Sequence, residues 1–321
     1  MSIGRKIAAA IAAVATLGSL GIAASTAVAE TKWDALSNQE KNSSYGFFIW
    51  KSENAKTQAE KDAAAKAANI LKTAKYASYT KFGDSTDATS LVNFKESVNE
   101  IQRINEFRSA QTDEPCRTDL PEGKGRVCND ENKRLTPLQA NDILMAVAQS
   151  NANYSTTSMD HADNNGAGWN VAENLAWGPV QYTDRYAHYE GTKIDQCEIG
   201  QSYSACNWYW NEKSKWQGTW TSANGHYANL TNKDQEYTLT GVAINSGSSY
   251  GNTVAQEYSN DFLANYNKQT APVTTLDAYR EQLATYSKLV RTISKVTVSP
   301  SSVTVAADKN TDSVDLSGVK A

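Results

Sequence analysis

Residues 159–178 read MDHADNNGAGWNVAENLAWG and carry the strongest pattern in the chain. The stretch contains an ionisable His161 near its start and the run ENLAWG at its end, in which Glu173 is the acidic residue. The Asn- and Gly-rich segment 164–168 is typical of a tight turn, because both residue types tolerate positive φ. The pattern therefore predicts that the His161 imidazole and the Glu173 carboxylate lie close together.

A second pair of the same residue types follows downstream. Glu212 lies in the run WYWNEK, residues 208–213, and His226 is the centre of GHY, residues 225–227. Two imidazoles and two carboxylates in glycine- and aromatic-rich surroundings predict one polar site. The alternative is coincidence, since the chain has three His and 35 acidic residues in all.

The order His161, ENLAWG, WYWNEK, GHY is that of one known family. Over about residues 88–262 the chain resembles the CAP superfamily (cysteine-rich secretory proteins, antigen 5 and pathogenesis-related proteins), and its secreted bacterial branch in particular. The resemblance implies an α+β fold, a CAP-type α-β-α sandwich with flanking helical segments. It also implies that His161, Glu173, Glu212 and His226 line one cleft. One spacing departs from the family, which usually places the second carboxylate three positions after a Trp; Glu212 lies four after Trp208.

The four residues of the implied cleft have the chemistry of a metal site. Neutral imidazoles with carboxylate oxygens suit Zn²⁺ or another divalent first-row ion. With His161, His226, Glu173 and Glu212 as candidate ligands, a coordination position would remain open for water. The alternative is that the His and Glu side chains only hydrogen-bond to one another and hold the loop, without a metal.

Two functions are compatible with such a cleft. The first is a secreted binding or interaction module whose partner is a small ligand, a lipid, a glycan, or a host or cell-surface protein. The second is a metal-assisted extracellular hydrolase, peptidase-like, with Glu173 or Glu212 as the catalytic base. The sequence shows no nucleophile with an adjacent base, which favours the first. A formal G-x-S-x-G match at 247–251 lies between two predicted strands, whereas a nucleophile elbow joins a strand to a helix.

Charge and targeting signals restrict the partners and the compartment. The net charge is −4 and there is no basic stripe, so nucleic-acid binding is discounted. Residues 1–29 read as a signal peptide, with Arg5 and Lys6 before an apolar stretch and the small-residue site AVA at 27–29. An uncleaved membrane anchor is the alternative. No later stretch is long and apolar enough to span a membrane, and we expect a secreted, extracellular or cell-surface protein.

Four cysteines fit an oxidising compartment. Three pairings are possible, and the short-range choice is Cys116–Cys128 with Cys197–Cys206, each closing a polar loop.

The rest of the chain divides into further segments. Residues 30–87 form an N-terminal helical segment, with a helix over 57–76 and an apolar cluster at 45–50 that must pack against the domain or a partner. Within 88–262 we expect a helix over 89–111, a helix from Thr136–Pro137 to Tyr154, and strands over 237–245 and 252–259.

The C-terminal region differs in pattern from the domain. Residues 263–295 read as a helical linker or stalk, because apolar residues recur at steps of three and four over 276–293. That helix could equally dock back on the domain. Residues 296–321 alternate in the manner of a strand. They are either the start of an Ig-like repeat or a disordered tail.

Overall fold

The structure is a computed structural model that describes residues 31–111, 128–129, 134–135, 137–162, 171–183, 196–233, 237–260 and 274–293. The helices are α1 (Asn38–Lys41), α2 (Ser44–Asn54), α3 (Gln58–Thr73), α4 (Leu91–Ala110), α5 (Asp142–Ser158), α6 (Tyr203–Glu212), α7 (Gly225–Thr231) and α8 (Leu276–Ile293). The strands are β1 (Cys128–Asn129), β2 (Arg134–Leu135), β3 (Gln139–Ala140), β4 (Ala172–Gly178), β5 (Leu239–Ser248) and β6 (Gly251–Ser259).

Local capping signals fix the starts of two helices that the sequence predicts. Thr57 caps α3 in a capping box: its hydroxyl accepts from the Glu60 backbone N–H, and the Glu60 side chain accepts from the Thr57 backbone N–H. Ser90 caps α4 by accepting a hydrogen bond from the backbone N–H of Asn93. Both helices lie within the predicted ranges.

The start predicted for α5 is wrong. Thr136–Pro137 has the composition of a helix start, but the helix begins at Asp142 after the N-cap Asn141, whose side chain accepts from the N–H groups of Ile143 and Leu144. The intervening residues form β3, which pairs with β5 in parallel. Sheet pairing satisfies the backbone groups of this segment and overrides the local signal for a helix start.

The main sheet has four strands in the order β3-β5-β6-β4. Strands β5 and β6 form a hairpin that closes between Ser248 and Gly251, and β6 pairs antiparallel with β4. The G-x-S-x-G segment is therefore part of a hairpin, as the sequence predicts, and not a nucleophile elbow. Because β4 is an edge strand, side chains from both faces of the sheet can meet beside it.

One face of the sheet packs on α5. Ala243 and Ala255 are buried in one cluster with Ala148 and Ala152 of that helix. Gly241 explains how the helix approaches so closely, since a Cβ at this position would lie 2.1 Å from the backbone carbonyl carbon of Leu144. Any larger residue at 241 would push the helix off the sheet.

The opposite face carries the remaining domain helices. Val242, Ile244 and Val254 alternate with the residues that face α5 and belong to a buried cluster with Phe94 of α4 and Trp208 of α6. The helices thus cover both faces of the sheet, which is an α+β, CAP-type α-β-α sandwich.

The flanking helices share the same core. Phe47 of the apolar N-terminal cluster lies against Phe94, with ring centroids 5.4 Å apart, and against Tyr286 of α8 at 5.6 Å. Lys51 and Asp142 form a buried ion pair at 2.8 Å between α2 and α5. Of the two alternatives for the C-terminal helix, docking on the domain is the one observed. The domain boundaries at 88 and 262 stay predictions.

Several sequence predictions lie outside the described residues. These are the signal peptide at 1–29, the tail at 296–321 and the Cys116–Cys128 disulfide, of which only the backbone of Cys128 is described. In the described ranges, no helix combines the length and the apolar character needed to cross a membrane.

Candidate functional site

His161 reaches its position through the end of α5. The helix closes at Met159, which adopts the left-handed conformation at φ 49° and so turns the chain. The Ser155 hydroxyl donates to the Asp160 carbonyl at 2.7 Å, and the Asp160 carboxylate accepts from the His161 backbone N–H at 2.8 Å. These bonds fix the exit of the chain and present His161 beside β4.

His161 and Glu173 form the first imidazole–carboxylate pair. The His161 Nδ1 atom lies 2.6 Å from Glu173 Oε1. The His161 side chain is 55% exposed, whereas that of Glu173 is only 8% exposed. The hydrogen bond to Glu173 raises the pKa of His161, and partial burial opposes that rise.

Two buried residues support Glu173 from the side of α5. The Asn151 amide donates to Glu173 Oε2 at 2.6 Å and to Glu257 Oε1 at 2.8 Å. Glu257 is fully buried and lies directly opposite Glu173 in the β4–β6 register. Burial, and next the Glu173 carboxylate, raise the pKa of Glu257 well above its usual value. Glu257 therefore favours its neutral, protonated form far more than an exposed carboxyl group does.

His226 and Glu212 form the second pair. Glu212 is the last residue of α6 and His226 is the second residue of α7. Their Oε1 and Nδ1 atoms lie 2.6 Å apart, and the other Glu212 oxygen accepts from the Tyr227 backbone N–H at 3.0 Å. Glu212 thus reaches the imidazole in spite of its departure from the family spacing.

Trp208 backs the second imidazole. Its indole N–H donates to the Leu175 carbonyl of the edge strand at 3.0 Å. Its ring lies nearly parallel to that of His226, with centroids 6.0 Å apart and planes at 21°. Tyr209 and Tyr227 are buried as well, whereas Trp220 is 50% exposed.

Asn174 ties α7 to the sheet. Its amide donates to the His226 carbonyl and to the Tyr258 hydroxyl, both at 3.0 Å, and its oxygen accepts from the Asn229 amide at 2.9 Å. Asn174 is fully buried. The second residue of the ENLAWG run therefore positions the backbone that carries His226.

The two pairs meet in one place. The ring centroids of His161 and His226 are 6.2 Å apart and their planes are inclined by 26°. Both carboxylates bond to Nδ1, which fixes the orientation of each ring and leaves Nε2 as the ring nitrogen that does not contact the carboxylate. Within the described residues, no cluster of three or more His, Cys, Asp or Glu side chains could hold a metal ion.

Sequence reasoning missed Asn151, Asn174 and Glu257. Glu257 sits in a predicted strand without any motif around it, and its place beside Glu173 depends on the β4–β6 register. Because residues 172–178 were not predicted as a strand, that register could not be read from the sequence.

The predicted Cys197–Cys206 disulfide is confirmed, with Cα atoms 6.2 Å apart. Cys206 is buried in α6, two residues before Trp208. The bond therefore fixes the start of the helix that carries Trp208 and Glu212.

The comparisons with known proteins agree with this fold. Residues 101–266, just over half of the chain, match the family model described as the cysteine-rich secretory protein family, CAP. No individual curated protein matches the chain. The matched span contains both imidazole–carboxylate pairs and the whole four-stranded sheet. The chain belongs to the cysteine-rich secretory protein (CAP) family.

Proposed function

We propose that this protein is a secreted interaction module of the bacterial branch of the family, whose cleft holds a divalent metal ion on the Nε2 atoms of His161 and His226. At the level of the family, the CAP domain supports an extracellular interaction-type module. One observation carries the finer proposal. The Nδ1 atom of each imidazole hydrogen-bonds to a carboxylate at 2.6 Å, and the two rings lie side by side.

The arrangement suits a metal ion in its donor chemistry. Metal-bound imidazoles commonly bond through the other ring nitrogen to a carboxylate, which fixes the tautomer and raises the basicity of the ligand. Zn²⁺ binds an imidazole nitrogen at about 2.0–2.1 Å, so a tetrahedral ion shared by the two rings would place their centres roughly 5 Å apart. The observed separation of 6.2 Å is about 1 Å longer, so the two rings would move closer by that amount when an ion binds.

The proposal changes the roles expected of the two carboxylates. Glu173 and Glu212 are positioning residues for the imidazoles, and the ion would have only His161 and His226 as ligands among the described residues. An ion held by two protein ligands keeps open coordination positions, which suit oxygen atoms of a bound partner. When bound, such an ion would supply Lewis-acid character to the cleft.

The surroundings of the cleft favour a binding role. His161 is more than half exposed, and the exposed Trp220 ring lies against Gly225, with its Nε1 atom 3.1 Å from the position of a Cβ at that glycine. A partner that bonds at the imidazoles would therefore also meet an aromatic surface next to His226. Small ligands, glycans, lipids and proteins all offer that combination of polar and apolar groups.

The hydrolase alternative draws less support from the geometry. Glu173 bonds to His161 and Asn151, and Glu212 bonds to His226 and the Tyr227 N–H, so both candidate bases are engaged. Among the described residues, no Ser or Cys side chain hydrogen-bonds to either imidazole. We therefore propose no catalytic residue.

Calorimetric titration of Zn²⁺ into the chelator-treated protein at pH 7.5 tests the proposal. His161→Ala and His226→Ala should each weaken binding by more than the roughly 10–100-fold that loss of an outer-shell partner costs, and Glu212→Gln should fall within that range. His188→Ala is the matched control, because this third His belongs to none of the motifs. Equal binding by the wild type and the double His161→Ala, His226→Ala variant would leave the cleft as a structural network without a metal.

A further inference from the structure

A groove between α4 and α8 lies outside the His/Glu cleft and has a composition of its own. Its volume is about 410 Å³. Val98, Leu283 and Ala284 supply its apolar floor. Helix α8 follows the span that matches the family model, so this groove is built in part by residues outside that span.

Four cations line the groove. They are Lys95, Arg280, Lys288 and Arg291. None of the nine described residues that line it is acidic, although the chain as a whole has a net charge of −4. Arg280 lies 3.6 Å from the carboxylate of Asp277, which is almost fully exposed. The groove is thus a local concentration of positive charge on an acidic protein.

The cations are spread along the groove. On α8, positions 280, 284, 288 and 291 recur at steps of four and three and share one face. At 1.5 Å per residue they span about 16 Å, or three helical turns. Lys95 of α4 and Arg291 of α8 line the same groove, and burial, and next the charge of Arg291, lower the pKa of Lys95 from its usual value.

Apolar surface continues beyond the groove along α4. Val92 is 73% exposed, and it lies one turn before Lys95 on the same helical face as Asn99, which also lines the groove. An occupant that covers this surface must be longer than the groove floor itself.

We propose that the groove between α4 and α8 docks an acidic amphipathic helix of a partner protein. A groove between two packed helices accepts a third helix, whose apolar face would lie on Val98, Leu283 and Ala284. Carboxylates on both flanks of that helix would meet the cations that line the groove. A single anionic lipid head group would contact only one end of the row of cations along the groove, whereas several acidic side chains of a helix would contact its full length.

The test uses the full chain and a designed probe. The probe is a fluorescein-labelled peptide of about 14 residues, close to four helical turns, with Leu on one face and Glu on both flanks. Two comparison peptides carry Lys in place of Glu, or the same composition in scrambled order. Fluorescence anisotropy should show saturable binding of the acidic amphipathic peptide alone, weakening as salt rises.

Variants assign the binding to the groove. Lys288→Glu with Arg291→Glu should weaken binding on the order of tenfold or more, because two attractions become repulsions. Ala284→Glu, at an exposed position of the groove, should also weaken it. Lys56→Glu with Lys81→Glu is the matched control, since it makes the same change of charge at exposed positions elsewhere and should leave affinity unchanged.

Each contrary result overturns the proposal. Absence of binding, equal binding of the scrambled peptide, or equal loss in the matched control would show that no helix-specific docking site exists. Binding to phosphatidylglycerol vesicles that is lost in the Lys288→Glu, Arg291→Glu variant, without peptide binding, would assign the groove to a membrane surface instead.

Discussion

Replacement of Asn174 by Ala should destabilise the protein strongly and disturb the cleft from within. Asn174 is fully buried and makes three hydrogen bonds through its amide, to the His226 carbonyl, the Tyr258 hydroxyl and the Asn229 side chain. The substitution removes all three bonds at once and leaves their partners without the amide.

The expected loss follows from the polar groups left behind. Each buried polar group that loses its partner costs about 1–3 kcal/mol; the Tyr258 hydroxyl keeps its bond to Gln256 at 2.6 Å, so the two remaining groups amount to roughly 2–6 kcal/mol. Since domains of ordinary stability unfold with about 5–15 kcal/mol, a loss in that range would leave the variant marginally folded.

Urea denaturation measures this loss, with a chelator present so that metal binding does not contribute to the free energy of unfolding. Asn207→Ala is the matched control, because that amide donates to the Tyr203 carbonyl within α6 at a partly buried position. It should cost well under about 1 kcal/mol. If Asn174→Ala costs no more than Asn207→Ala, Asn174 does not hold α7 on the sheet and the account of the ENLAWG run is wrong.

Three further predictions concern the frame of the fold and the titration of the cleft. Tyr286→Phe removes the hydroxyl that accepts from the Trp33 indole N–H and donates to the Lys41 carbonyl. It should lower the free energy of unfolding by about 1–3 kcal/mol in urea denaturation, and no change would mean that these two bonds do not stabilise the fold. Glu173 raises the pKa of His161, so the charged imidazole stabilises the fold below about pH 6.5, and this stabilisation is lost as pH rises through the folded-state pKa. NMR titration of the metal-free protein should give a midpoint above about 6.5 that Glu173→Gln lowers. An unchanged midpoint in that variant would show that Glu173 does not raise the pKa of His161. Replacing Cys197 and Cys206 together by Ala opens a loop of nine residues' separation and should cost about 3 kcal/mol in the same denaturation assay, whereas wild-type stability would show that the disulfide is dispensable.

Sequence reasoning succeeded where the signal was local. The helix at 276–293 has the bounds predicted from its apolar spacing, and α3 begins after the capping residue Thr57. It failed at Thr136–Pro137, where the local sequence predicts the start of a helix but the residues that follow form β3, which pairs in parallel with β5. Such a pairing joins residues about a hundred positions apart and leaves no trace in a short window.

The candidate site was predictable in part for the same reason. The motifs named His161, Glu173, Glu212 and His226, and the structure brings them together in two pairs. The sequence could not show that both carboxylates bond to Nδ1 atoms, because that depends on side-chain orientation. Nor could it reveal Glu257, whose relation to Glu173 exists only through the register of β6 on β4.

The zinc-edge anomalous signal from crystals of the zinc-loaded protein tests the central claim most directly. We expect one peak between the imidazoles, about 2.0–2.1 Å from Nε2 of both His161 and His226, with Glu173 and Glu212 still hydrogen-bonded to the Nδ1 atoms. A peak bound by the oxygens of Glu173 or Glu212, a peak elsewhere on the protein, or no peak at all would contradict a metal centre held by the two imidazoles.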